Sequence, residues 1–315
     1  MIKTRPFRKR ALMHAFNRLS IEWKATLLML VAMLLFTVMG VFIRLASETI
    51  PVMEVVFFRN FLGTIVLLPL IVQSGIKTVK MVRPKLFIYR GVVNFIGMAA
   101  GFTAVTLIPL AEVTALNFTC PLFVTLGAAL FLGEIIRIRR IIAIIVGFCG
   151  ALLILQPGVS EISLGAMLAL VGSLCIAGAS LLVKKMTETE SVNSIVLWMV
   201  AIQTPISFVP AFFVWQWPDM YGWFLLISLT LAATIAHICF TRACGMVEIT
   251  SLQHLEFVKL PLAAAIAWFI FSEVPDIWTW IGGAVIFIST AYITHREAQA
   301  DKSMRPNHGI KESKL

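Results

Sequence analysis

The chain has 315 residues, of which 59% are hydrophobic and 13% charged. A soluble domain carries about 25% charged and about 45–50% apolar residues, so this excess cannot be buried in a soluble core and lipid must solvate much of the surface. The net charge is +10, but the basic residues fall between apolar runs and no nucleic-acid-binding signature accompanies them, which excludes nucleic acid as a partner and makes the charges signals of membrane topology.

Residues 1–24 form a basic tail: Lys3, Arg5, Arg8, Lys9, Arg10, Arg18 and Lys24 stand against Glu22 alone. The apolar run that follows is longer than a signal peptide's and lacks a small-x-small cleavage site, so it is expected to be an uncleaved first span. A spanning helix needs about 20 mainly apolar residues. Ten segments meet that requirement: 25–46, 52–73, 86–107, 111–133, 140–156, 163–183, 193–214, 221–242, 249–271 and 277–294. Helix-ending residues fall at several breaks, among them Pro51, Pro84, Pro109, the Gln156-Pro157-Gly158 turn, Pro218 and Pro275. A second tail, 295–315, closes the chain. Cys120, Cys149, Cys175, Cys239 and Cys244 all lie in apolar runs without a C-x-x-C, so they suggest neither a zinc site nor a disulfide framework.

The basic residues test this count. Lys77, Lys80, Arg83, Lys85, Arg137, Arg139, Lys184 and Lys185 lie in the even-numbered loops, while the odd-numbered loops hold no lysine or arginine. Basic loops resist translocation, so that side is expected to be cytoplasmic, with both termini on it. Trp215, Trp217, Tyr221 and Trp223 then mark the opposite interface.

The chain also reads as a duplication. Phe102-Thr103-Ala104 through Pro121 to Leu132-Gly133-Glu134 parallels Phe240-Thr241-Arg242 through Pro261 to Phe271-Ser272-Glu273. Pro121 and Pro261 share an offset of 140 with Arg44 and Lys184. Five spans is an odd number, so the second unit must enter the membrane in the opposite sense. The expected fold is therefore an all-α membrane protein of ten transmembrane helices in two inverted repeats, 25–156 and 163–294, an architecture common among secondary transporters.

Pro51-x-x-Glu54 with Phe57-Phe58-Arg59-Asn60, the Ala111-to-Pro121 stretch, Phe131-Leu132-Gly133-Glu134, and the echoes at Pro261 and Glu273-Val274-Pro275 resemble the EamA-type branch of the drug/metabolite transporter superfamily. The resemblance implies two inverted five-helix repeats around a central cavity. It also implies a substrate such as an amino acid, a vitamin like riboflavin, a nucleoside-like compound such as S-adenosylmethionine, or a drug. One stretch departs from the pattern: Gln253, His254, Glu256 and Lys259 make the second-half counterpart of Ala111–Pro121 unusually polar.

Charged side chains inside a span cost about 2.5–3.5 kcal/mol on insertion scales and persist when paired, hydrated or turned inward. Arg59, about 10 Å below the end of its span at 1.5 Å per residue, reads either as an anion anchor beside Asn60 or as a structural or snorkelling arginine. Arg44 lies near a span end, where snorkelling or pairing with Glu48 would account for it. Glu256 and Lys259, one helical turn apart, read either as a proton or cation site and an anion partner, or as an internal ion pair. His237 and His254 stand at similar depths and read as packed histidines or as a proton relay. Asn94, Asn117 and Gln203 are intramembrane amides that can bond across helices or touch substrate. Gly97-x-x-x-Gly101 permits close helix packing within the chain.

The candidate substrate-binding residues are therefore Arg59, Asn60, Asn94, Asn117, His237, His254, Glu256 and Lys259. No catalytic residue, metal site or cofactor is expected, because no H-E-x-x-H, G-x-S-x-G or P-loop occurs. The expected partners are a small-molecule substrate and the lipid bilayer. A coupling proton or cation, and a monomeric or homodimeric state, stay open. The expected location is a cell inner membrane. The alternative is an intramembrane enzyme acting on a lipid-linked substrate.

Overall fold

The computed structural model describes residues 20–74, 81–132, 138–157, 161, 163–186, 189–190, 192–246 and 252–304. Among them the regular elements are helices: α1 (Ile21–Ala46), α2 (Val52–Ser74), α3 (Pro84–Leu107), α4 (Leu110–Asn117), α5 (Cys120–Leu132), α6 (Ile138–Leu155), α7 (Leu164–Met186), α8 (Val192–Phe213), α9 (Met220–Met246), a 3-10 helix (Gln253–Val258), α10 (Lys259–Phe271) and α11 (Ile277–Met304). An apolar chain in lipid must satisfy its backbone internally, and helices do so within each segment. Two prolines sit at helix starts, where a missing N–H is harmless. Pro84 opens α3 and Pro109 precedes α4.

Among the described residues six helical stretches, Leu110–Phe131 counted as one, are long and apolar enough to cross a membrane, and Leu197–Phe213 and Ile277–Ile293 are shorter apolar helices. The outward faces of the helices carry large apolar side chains in the open: Phe269 of α10 is 84% exposed, Phe131 82% and Phe213 80%. Such a surface suits hydrocarbon rather than water. α11 continues past the expected end at 294 into the tail.

The helices pack in reciprocal pairs. α1 lies on α9, α3 on α7, α2 on α8, α6 on α11, and α4 on α10. Two crossings depend on glycine. A Cβ on Gly97 would come within 2.8 Å of Cys175 Cβ, and one on Gly172 within 3.2 Å of the Gly97 carbonyl oxygen. The Gly97-x-x-x-Gly101 stretch thus packs within the chain, as its spacing suggests. Gly150 and Gly282 face each other more closely, with a Cβ on either falling 2.9 or 2.5 Å from the other's carbonyl oxygen. Between α2 and α8 the hydroxyls of Thr64 and Thr204 approach to 3.3 Å.

Two expected spans are not continuous helices. The segment expected at 111–133 breaks between Asn117 and Cys120, and the one expected at 249–271 is a 3-10 helix up to Val258 and α-helix from Lys259. Residues 247–251 lie outside the described set. Each break precedes a proline, Pro121 or Pro261, whose ring and missing N–H disrupt the preceding turn. The Asn117 carbonyl, deprived of its helical donor, accepts from Ser173 Oγ at 3.3 Å on α7. The Phe118 carbonyl accepts from Thr290 Oγ1 at 3.4 Å on α11. At the second break the Lys259 N–H turns to the Glu256 carbonyl.

The largest buried cluster includes Phe57 and Phe58 of α2, with Trp215 and Trp223 packed against it. On that face Arg44 forms an ion pair with Glu273, and its guanidinium lies 4.8 Å from the Phe271 ring centroid. Glu273 also accepts the Leu110 N–H at 3.3 Å. The expected Arg44 pairing with Glu48 does not form, because α1 ends at Ala46 and Glu48 no longer shares its face. Glu54, badly spaced for Arg59, accepts the Gln216 N–H at 2.5 Å instead. Toward the opposite face Glu190 accepts the N–H groups of Val82 and Arg83 at 3.0 and 2.7 Å.

Candidate functional site

Between these faces the helices enclose a cavity of about 670 Å³, within the range of small-molecule sites. Arg59, Asn94, Asn117, His237, Glu256 and Lys259 line it together, from α2, α3, α4, α9, the 3-10 helix and α10. The helix breaks set part of this arrangement: Asn117 is the last residue of α4 and Lys259 the first of α10, so each polar group stands where the backbone bends.

Arg59 is 8% exposed and donates from Nη1 to Asn60 Oδ1 at 3.1 Å. Asn60, fully buried, stands behind it rather than on the wall, with its amide nitrogen 3.8 Å from Met98 Sδ. Asn94 donates to Gln203 Oε1 at 3.1 Å, and Gln203 Nε2 donates to the Met199 carbonyl at 2.7 Å. This amide pair bonds across α3 and α8 while Asn94 also borders the cavity. His237 meets the Phe36 ring edge-on, with centroids 5.0 Å apart. Lys259 Nζ is 5.5 Å from the centroid of the same ring, a distance at which a desolvated ammonium is attracted to the ring face. His254 lies in the 3-10 helix, but its side chain is outside the described set.

The internal ion pair considered for Glu256 and Lys259 is not formed. Neither side chain makes an ion pair within 4.0 Å with the other, whereas Arg44 and Glu273 do pair. Glu256 and Lys259 therefore reach the cavity wall with their charges uncompensated by each other. No group of three His, Cys, Asp or Glu side chains converges among the described residues in a way that could hold a metal ion.

Several wall residues escaped the sequence reading. Thr37, Thr114 and Ser180 line the cavity, each donating its hydroxyl proton to its own helix, to Met33, Leu110 and Ile176 carbonyls. They turn acceptor lone pairs inward. Phe36, Phe118 and Phe287 supply apolar wall, and Phe118 and Phe287 lie 6.1 Å apart. In sequence such residues look like ordinary span content. The prolines that follow the breaks were the available signal for Ser173 and Thr290, which cap the exposed carbonyls.

The profile of the EamA-like transporter family matches the chain twice, over residues 23–156 and 163–295. The chain belongs to the EamA-like transporter family. Within it, similarity extends over most of several characterised proteins. An S-adenosylmethionine uptake transporter of Rickettsia bellii (strain RML369-C) is 30% identical over 247 residues, 78% of this chain and 85% of that protein. The pseudopaline exporter CntI of Pseudomonas aeruginosa (strain UCBPP-PA14) is 31% identical over 272 residues, 84% of this chain and 93% of its own. A riboflavin transporter of Vibrio cholerae serotype O1 is 29% identical over 289 residues, 90% and 96% of the two chains. A solved crystal structure shares the fold at 16% identity, with a TM-score of 0.61 over 88% of this chain and 98% of its own. The EamA family is one of membrane transporters rather than enzymes, and the intramembrane-enzyme alternative is set aside.

Proposed function

We propose that this EamA protein is a ten-helix secondary transporter that moves a small organic metabolite by alternating access through the central cavity. The observation that carries this reading is the convergence of Arg59, Asn94, Asn117, His237, Glu256 and Lys259 on one cavity at two broken helices. Broken helices at mid-depth are a recurrent design of transporter binding sites. Asn60 belongs to the site as the support for Arg59, and His254 is assigned to it from the sequence pattern.

The inverted repeat, 25–156 against 163–294, is part of the same reading. Three observations support it: two successive family matches, helix pairs that exchange between halves, and a Thr64–Thr204 contact at a separation of 140 residues. That separation equals the offset of Pro121 and Pro261. With both basic tails cytoplasmic, the Arg44–Glu273 pair closes the cavity toward the outside of an inner membrane. Glu256 is the candidate site for a coupling proton or cation.

Comparing the metabolites of cells that lack the protein with those of cells that overproduce it tests the reading. One small compound should shift reciprocally between cell and medium, chemically unchanged. A compound that is altered rather than relocated would contradict transport. Reporter fusions after Pro218 should behave as external, and a cytoplasmic reporter there would contradict the inverted topology.

A further inference from the structure

Among the described residues Arg59 is left without an anionic partner, and the engaged carboxylates show why this is specific. It is 8% exposed and its hydrogen bond goes to the neutral Asn60 amide. Glu54, five residues before it, is engaged by the Gln216 N–H. Glu273 is held by Arg44, and Glu190 by the Val82 and Arg83 amides. Glu256 shares the cavity but makes no ion pair with Arg59, and the second cation of the wall, Lys259, rests over Phe36. His237, whose imidazole is neutral or cationic, is no counter-ion. Among the described residues the wall therefore carries two positive charges and one negative charge. A guanidinium withdrawn from water without a carboxylate is unfavourable, and it has donors left to give.

We propose that the occupant of this cavity is an organic oxyanion, a carboxylate or a phosphate, that docks on the guanidinium edge of Arg59 left free by Asn60 and lays an apolar body against Phe118 and Phe287. Lys259 answers a second negative charge on the occupant, and Glu256 an ammonium. Uncharged and purely cationic solutes are poor occupants, since they leave Arg59 uncompensated. This inference rests on the reading of the cavity as the transport route, but its first test does not need transport.

Thermal unfolding of the full chain in detergent is followed while chloride is replaced by acetate, or by inorganic phosphate, at constant ionic strength. The expected result is a Tm that rises with acetate or phosphate concentration in the wild type and in Arg242→Gln, an exposed control on α9. The rise should vanish in Arg59→Gln, and Arg59→Lys, which keeps charge without the planar fork, should need about tenfold more anion, equivalent to about 1.4 kcal/mol. The arm with the larger rise identifies the oxyanion chemistry. An equal rise in wild type and Arg59→Gln, or, if that variant does not fold, in wild type and Arg59→Lys, would overturn the inference and mark an adventitious ion only. Flux from sealed vesicles then separates the two readings. Anion-dependent stabilisation without flux of any loaded solute defeats the transporter reading and leaves the oxyanion site standing. Flux confined to neutral or cationic solutes, and insensitive to Arg59→Lys, defeats the oxyanion site and leaves transport standing.

Discussion

Thr64 of α2 and Thr204 of α8 meet hydroxyl to hydroxyl at 3.3 Å, although 140 residues separate them. On the proposed inverted repeat, residues at the repeat offset touch each other when they lie on the axis relating the two units. Cysteines at both positions should therefore form a disulfide on mild oxidation, since opposed side chains at this separation are within bridging range. Gel mobility after cleavage in the loop between residues 157 and 163 reads the result. Absence of a crosslink under all oxidising conditions would count against the α2–α8 packing and the axis through it.

The Arg44–Glu273 pair lies next to Ile43 and Leu110 of the cavity wall, so on the proposed alternating-access reading it should open and re-form in each transport cycle. Arg44→Cys with Glu273→Cys, once oxidised, should stop transport, and reductant should restore it. Removing one partner costs an amount between the about 1 kcal/mol of an exposed pair and the about 3–5 kcal/mol of a buried one, because both side chains are partly exposed. Reversing the charges should rescue only part of the loss. An arginine at 273 cannot accept the Leu110 N–H that Glu273 holds. Unimpaired transport in the oxidised double-cysteine protein would show that this face does not move.

Gly150 and Gly282 define a third outcome. A Cβ on Gly282 would lie 2.5 Å from the Gly150 carbonyl oxygen and equally near Ile154. Gly282→Ala should separate α6 from α11 and destabilise the protein by about 1–3 kcal/mol, the usual scale of overpacking. A lowered Tm in detergent checks it. An unchanged Tm would mean that the two helices are not in close contact.

Much of this architecture was legible in the sequence because lipid imposes a simple rule. Apolar runs had to be helical, and prolines marked several of their limits. Intramembrane polar residues had to turn inward, which is why Arg59, Asn94, Asn117, His237, Glu256 and Lys259 meet in one cavity. What depended on distant partners was hidden. Arg44 looked able to pair with Glu48 until the end of α1 removed that geometry. The breaks before Pro121 and Pro261 looked like continuous spans, since apolar composition does not report the path of the backbone. Ser173 and Thr290 had no distinctive neighbours in sequence, and their role follows from carbonyls on other helices.

Glu256 and Lys259 line the cavity without pairing, which sharpens what a charge exchange should do. A structural pair would tolerate Glu256→Lys with Lys259→Glu, since the attraction survives. A binding wall would not, because the substrate meets the wrong sign at each position. We expect at least about a tenfold loss of flux, equivalent to about 1.4 kcal/mol, with insertion and Tm largely retained. Wild-type flux in the exchanged protein would assign the two residues to structure alone.

The central claim is that solute passes through this cavity, and Gly101 gives direct access to it. Gly101 lines the cavity, and a Cβ placed there meets nothing within 4 Å, so a side chain at this position points into open space. Gly101→Phe should fill the route without disturbing the helices around it. Proteoliposomes loaded with a metabolite mixture and assayed by mass spectrometry of the outer solution make the comparison. The wild type should release at least one compound chemically unchanged, and Gly101→Phe, equally folded and incorporated, should release none above the protein-free background. Release of the same compound at the wild-type rate by Gly101→Phe would contradict the account, because the solute would then be moving by a path other than the cavity.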